Sequence, residues 1–153
     1  MTDIVIEQRI KAPPSTVYAY LTNADLWKRW QGVGATLDAR VGGVFSMLMA
    51  NGNNARGEFV ELVPERRVVF TWGWVDQPGI PVGSTTVEIE LRPDGAGTVL
   101  VLTHRSVPDD EVTLHRAGWA HYLPRLASVA SGSDAGEDEG PVTPPANTAN
   151  TAG

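Results

Sequence analysis

The chain has 153 residues, 42% of them hydrophobic, and a formal net charge of −6. That length and apolar content suit one domain with its own core and argue against two. The absence of cysteine excludes disulfides, thiolate metal sites and cysteine nucleophiles.

The charge is unevenly spread. The last 23 residues, Ser131 to Gly153, hold Asp134, Glu137, Asp138 and Glu139 with no base, and are otherwise small residues, Pro, Asn and Thr. Such a segment cannot bury enough apolar surface to offset chain entropy, so a disordered acidic tail over residues 131–153 is expected to follow a folded domain over 1–130. Setting aside those 4 of the 18 acids leaves 14 acids against 12 bases, a net charge of about −2 for the folded part. No basic stripe interleaved with aromatics appears, so no nucleic-acid partner is expected. Lys28-Arg29 and Arg66-Arg67, the only basic doublets, are read as solvated. The opening Met1-Thr2-Asp3-Ile4 lacks a basic region leading into a long apolar run, and no stretch approaches the length needed to cross a bilayer. A cytoplasmic protein with no membrane partner is expected.

Ile4, Ile6 and Ile10 alternate with Val5, Glu7 and Arg9, which predicts a first strand with one apolar face. Ala12-Pro13-Pro14 ends it. Proline is favoured at helix starts, and Val17, Tyr18 and Leu21 recur at helical spacing, which predicts a short helix over 14–21. Asn23 is placed to cap a second short helix carrying Leu26, Trp27 and Trp30.

From Gly34 onward, turn signals at Gly42-Gly43, Asn51 to Asn54, Pro64-Glu65, Asp76 to Gly83 and Pro93 to Gly97 separate strand-like runs. These lie near 35–40, 43–50, 55–63, 66–75, 84–92 and 97–105. Their short connections imply antiparallel neighbours. Parity sets Phe45, Met47 and Met49 on one side, with Val68, Phe70, Trp72 and Trp74, then Val87, Ile89 and Leu91, then Leu100, Leu102 and His104.

A long helix closes the pattern. Val112, Trp119, Leu123, Leu126 and Ala130 fall on one stripe, and His121, Pro124, Arg125 and Ser128 fall opposite. The stripe is the natural cover for the apolar sheet face. Pro124, on the solvent side of the wheel, predicts a bend near 120–124. Asp109, Asp110 and Glu111 suit the positive N-terminal end.

With these pieces in hand, the chain resembles the START-like ligand-binding superfamily. Within it, the chain is similar to the branch named for homologues of the activator of the heat-shock protein 90 ATPase. The matching residues are Ala12-Pro13, Trp27 and Trp30, the run from Arg40 to Phe45, Gly57-Glu58, and the run from Pro64 to Trp72. They continue with Gly97-Thr98, Leu100, Leu102, Thr103 and His104, then His115 and Gly118-Trp119. The resemblance spans residues 3–130 and implies an α+β helix-grip fold of the Bet v type. A curved antiparallel sheet of about seven strands would wrap a long C-terminal helix, with two short helices after strand 1 and a cavity between sheet and helix. Members of the superfamily include lipid and hormone carriers, aromatic polyketide cyclases and co-chaperone domains, so the fold alone does not choose among them.

Residues expected around such a cavity are Trp30, Phe45, Met47, Phe59, Phe70, Trp72, Trp74, Ile89, Leu102, His104, His115, Trp119, Tyr122 and Leu123. Core filling competes with ligand contact for the aromatic set. An empty cavity of roughly 200 Å³ would forfeit about 5 kcal/mol, comparable to the whole stability of a small domain, which points to an occupant if such a space persists. A ligand burying about 300 Å² of apolar surface would gain roughly 7 kcal/mol before association costs, in the micromolar to millimolar range.

Three readings follow. The first is a non-enzymatic carrier or sensor of an apolar or aromatic molecule, lipid-like or polyketide-like. The second is an interaction module for a chaperone or another protein, using an exposed patch at Trp27, Trp30 and the loop Asp76 to Ile80. The third is a polyketide cyclase or aromatase using His104, His115 or Tyr122 as acid and base. A metal is not expected, since His115 and His121 project about 240° apart on the helix. Phosphate-loop and dinucleotide fingerprints are absent, so no cofactor is assigned. A monomer or weak homodimer is expected.

Overall fold

The alternation at the start of the chain becomes β1 (Thr2–Ile10), with Ile4 and Ile10 buried and Val5, Glu7 and Arg9 exposed, in a computed structural model that describes residues 1–138, 140 and 141. Pro13 precedes α1 (Pro14–Thr22), which turns Val17, Tyr20 and Leu21 inward. The Asn23 side chain accepts from the Leu26 amide at 3.1 Å and caps α2 (Ala24–Trp27); Trp30 follows in the next turn. The cap anticipated at Asn23 is therefore present.

All six later strands form: β2 (Gly34–Leu37), β3 (Val44–Leu48), β4 (Asn54–Val63), β5 (Arg67–Trp72), β6 (Thr85–Asp94) and β7 (Gly97–Val107). They join β1 in one antiparallel sheet of order β1-β7-β6-β5-β4-β3-β2. Register fixes the inward set. Val87 faces Phe70 on one neighbour and His104 on the other, and Ile89 faces Val68 and Leu102. Each of these five hydrophobic side chains is fully buried.

Two strand ends differ from expectation. The run 66–75 stops at Trp72, because Gly73 brings the chain against the following loop, where a Cβ would stand 1.8 Å from the Pro81 carbonyl oxygen. Trp74 then pairs with Ala55 as a single bridge. The run 35–40 ends at Leu37, where the chain turns through Asp38 to Gly43.

A 3-10 turn at Asp109–Glu111 leads into α3 (Val112–Ala130), which continues unbroken through the exposed Pro124. Trp119, Leu123, Leu126 and Ala130 are buried as the stripe requires, and His115, Tyr122 and Val129 join them. The opposite face is not all solvent. His121, Arg125 and Ser128 are half-buried, because residues after α3 turn back over them. The Arg125 guanidinium donates to the carbonyls of Ala135, Gly136 and Glu137 at 2.8 to 3.3 Å, and its Nε to that of Trp30 at 3.0 Å. Asp138 accepts from the Gly32 amide at 2.8 Å. Within the segment expected as a disordered tail, residues 135–138 thus meet the domain through these polar contacts, and Ala135 packs against the core; residues 139 and 142–153 lie outside the described residues.

On the convex face Arg67 is more than a solvated strand-start arginine. It donates to Glu61 at 2.5 Å and to Glu88 at 2.7 Å, while Arg105 pairs with both Glu88 and Asp3, so the network ties β4, β5, β6, β7 and β1. Among the described residues no helix is long and apolar enough to cross a membrane.

Candidate functional site

The space between sheet and α3 divides in two. Toward α2 it is filled. Phe45 and Phe70 stack at 4.2 Å, Trp27 meets both edge-on at 5.3 and 5.8 Å, and Trp30 lies 4.7 Å from Trp27. These four rings and Phe59 are at most 1% exposed. At the other end, where β5 gives way to the 73–84 loop, a pocket of about 210 Å³ remains. Trp72, Trp74, His115, Trp119 and Tyr122 line it, with Met49, Gln31, Asn53, Leu114, Gly118 and Glu111 among their neighbours.

Of the residues expected around a cavity, those five reach the pocket. Trp30, Phe45, Met47, Phe59, Phe70, Ile89, Leu102 and Leu123 do not line it, because they pack against one another in the closed core. His104 lies behind the pocket wall, fully buried. Of the patch expected at Trp27, Trp30 and the loop Asp76 to Ile80, Trp27, Trp30 and Ile80 are at most 1% accessible, since Trp27 packs on Phe45, Trp30 on Trp27, and the loop turns Ile80 inward, while Asp76, Pro78 and Gly79 are exposed.

Hydrogen bonds define both imidazoles. Thr85 Oγ1 donates to the Trp72 carbonyl at 2.8 Å and so accepts from His104 Nε2 at 2.8 Å, while His104 Nδ1 accepts from Trp119 Nε1 at 3.1 Å. His104 is therefore the neutral Nε2–H tautomer. Burial, with the nearby His115 adding to it, pushes its pKa down to about 3. His115 is the other tautomer, with Nε2 accepting from Trp74 Nε1 at 2.9 Å and Nδ1–H donating to the Glu111 carbonyl at 2.9 Å. Burial lowers its pKa too, against the opposing pull of that carbonyl. Burial also raises the Tyr122 hydroxyl well above the usual phenol range, and Asp138 adds to the effect.

The pocket-facing imidazole thus has no free nitrogen, and Tyr122 holds its proton. What the arrangement can do is enclose an apolar or flat molecule against three indoles. Among the described residues no three His, Asp or Glu side chains gather where they could hold a metal ion.

The pocket residues that the sequence reading did not assign are mostly polar or small. Met49 was on the inward parity face, and Gly118 was adjacent to the inward Trp119, but Gln31, Asn53, Leu114 and Glu111 carry no period signal that distinguishes a rim from a solvent face.

A curved seven-stranded antiparallel sheet closed by a C-terminal helix, with two short helices after β1, is the START-like helix-grip architecture. Residues 11–131 match the family described as Activator of Hsp90 ATPase homolog 1-like protein, and the chain belongs to that family. The human protein named Activator of 90 kDa heat shock protein ATPase homolog 1 is 29% identical over 119 residues, which are 78% of this chain and 34% of that protein. The chain therefore spans about a third of the length of the curated relatives it matches. A solution structure of an AHSA1-like protein from Rhizobium etli is 39% identical with a TM-score of 0.72, covering 90% of this chain and 87% of that one. The crystal structure of CalU16 from Micromonospora echinospora is 29% identical with a TM-score of 0.70, over 85% of this chain and 76% of that one.

Proposed function

We propose that this chain is a small cytoplasmic binding domain that holds an apolar or aromatic molecule, lipid-like or polyketide-like, between the sheet and α3. The pocket of about 210 Å³ beneath Trp119 carries the reading. A cavity of about 150 Å³ lined by apolar side chains accommodates benzene, so this one suits a substituted ring or a short chain. A second feature supports it. Gly118 lies inside α3, where glycine costs about 1 kcal/mol relative to alanine, yet a Cβ there would meet nothing within 4 Å. Packing does not require this glycine, and a larger side chain would encroach on the pocket.

Native mass spectrometry of the purified protein for a co-purified molecule, with thermal shift against lipid and aromatic libraries, tests the proposal. An adduct, or a rise in Tm with an apolar ligand, is expected. Unmodified mass together with no shift across both libraries overturns it.

A chaperone-directed role is the second reading, favoured by the match to proteins named as activators of a heat-shock ATPase. It lacks the aromatic patch once expected for it, since Trp27 and Trp30 are interior. A cyclase or aromatase has less support, because neither His104 nor His115 has a nitrogen free to take a proton from a substrate.

A further inference from the structure

The chain has five tryptophans, and four of their indole N–H groups have acceptors. Trp27 donates to Gln31, Trp30 to the Tyr20 carbonyl, Trp74 to His115 and Trp119 to His104. Trp72 is the exception. It is 2% exposed, it lines the pocket, and its Nε1 is buried without a partner among the described residues. Leaving a buried donor unpaired costs about 1–3 kcal/mol, and native proteins rarely tolerate it without a reason.

We infer that Trp72 Nε1, which has almost no accessible surface and which a small rotation of the indole would present to the pocket, is the polar anchor of the site, and that the bound molecule is neutral, with a carbonyl, ether or phenol oxygen placed to accept from it. This rests on the binding role proposed above and specifies the ligand's chemistry. The wall disfavours an anion, and an N–H donor at the anchor does not suit a cation. Glu111 is the one charged side chain among the described lining residues, and no Lys or Arg is there to offset a buried carboxylate or phosphate. An acceptor is selected because the group left without a partner is itself a donor, and the imidazole on the wall offers no free nitrogen to compete, His115 Nε2 being taken by Trp74. The apolar part of the ligand would lie among Trp74, Trp119, Met49 and Leu114.

A matched set of single-ring probes tests this on the full chain: acetophenone, isopropylbenzene, which has a similar outline and no acceptor, and benzoate. Affinities come from titration, followed through the five indole N–H signals in ¹⁵N-edited NMR. Acetophenone is expected to bind about fivefold more tightly than isopropylbenzene and to move the Trp72 signal most, with benzoate weaker than acetophenone. In Trp72→Phe, which keeps a ring and loses the donor, the preference for the ketone should vanish. If that variant does not fold, the comparison on the unaltered chain decides alone. Equal affinity for ketone and hydrocarbon, or an unmoved Trp72 signal while its neighbours shift, overturns the inference and leaves the binding role standing. Tighter binding of benzoate overturns the neutral class. If none of the three binds, the inference fails, and the binding role is decided by the library screen and the mass of the purified protein.

Discussion

Trp119 Nε1 donates to His104 Nδ1 across 3.1 Å, from the middle of α3 to the inward face of β7. That bond, relayed through His104 Nε2 to Thr85 and on to the Trp72 carbonyl, joins the helix to the edge of the pocket through three side chains. It orients the Trp119 indole and uses His104 as structure.

Because His104 has a pKa of about 3 when folded and an ordinary value when unfolded, the unfolded state binds the extra proton as pH falls. The stabilisation is fully present above the unfolded pKa of about 6.5 and is lost progressively toward the folded pKa of about 3, by roughly 3 kcal/mol between pH 7 and pH 4. His104→Gln, which retains an acceptor and a donor without titrating, should show a shallower loss than the unaltered protein. Urea denaturation at a series of pH values measures the difference; parallel profiles would contradict the assignment.

Gly118→Ala should raise stability by about 0.5–1 kcal/mol, since the helix gains propensity and the added methyl meets open space. Gly118→Leu should keep the fold and abolish probe binding by occupying the pocket. Thermal denaturation and acetophenone titration read the two effects separately.

Phe70→Ala should cost about 3–5 kcal/mol, because the ring is fully buried between Phe45, Trp27 and Phe59 with no room to collapse. Tm from calorimetry tests it. A loss below about 1 kcal/mol would mean that the α2 end of the space is not closed packing.

Arg125→Ala removes the donors that hold the carbonyls of residues 135–137 and should free the segment that brings Gly140 and Pro141 to the pocket wall. Limited proteolysis should then cut after residue 130 much faster, with a stability change of only about 1–2 kcal/mol. Unchanged cleavage would show that the segment is not held there.

Much of the architecture was legible because period and parity are direct consequences of backbone geometry. The alternation Val68, Phe70, Trp72 and the stripe Trp119, Leu123, Leu126 need only one apolar face each, and both are buried as expected. The pocket was less legible. Phe45 and Trp72 share a parity face, yet one is packed shut and the other borders a void, because filling depends on how α2 swings Trp27 and Trp30 across one end of the sheet. Trp27 and Trp30 illustrate the same point: a short helix gives too little period to tell an interior face from an exposed one.

Residue order alone determined the seven strands, the antiparallel pairing of consecutive strands from β2 to β7 and the inward face of the closing helix, since each is set by local spacing and short connections. Only the tertiary structure decided that β1 pairs with β7, which rings fill space and which bound it, which nitrogen of His104 and His115 carries the proton, and that among the described residues Trp72 alone of the indoles lacks an acceptor. Those outcomes depend on contacts between residues far apart in the chain, such as Trp74 with His115 and Trp119 with the β7 imidazole, whose distances no periodic pattern encodes.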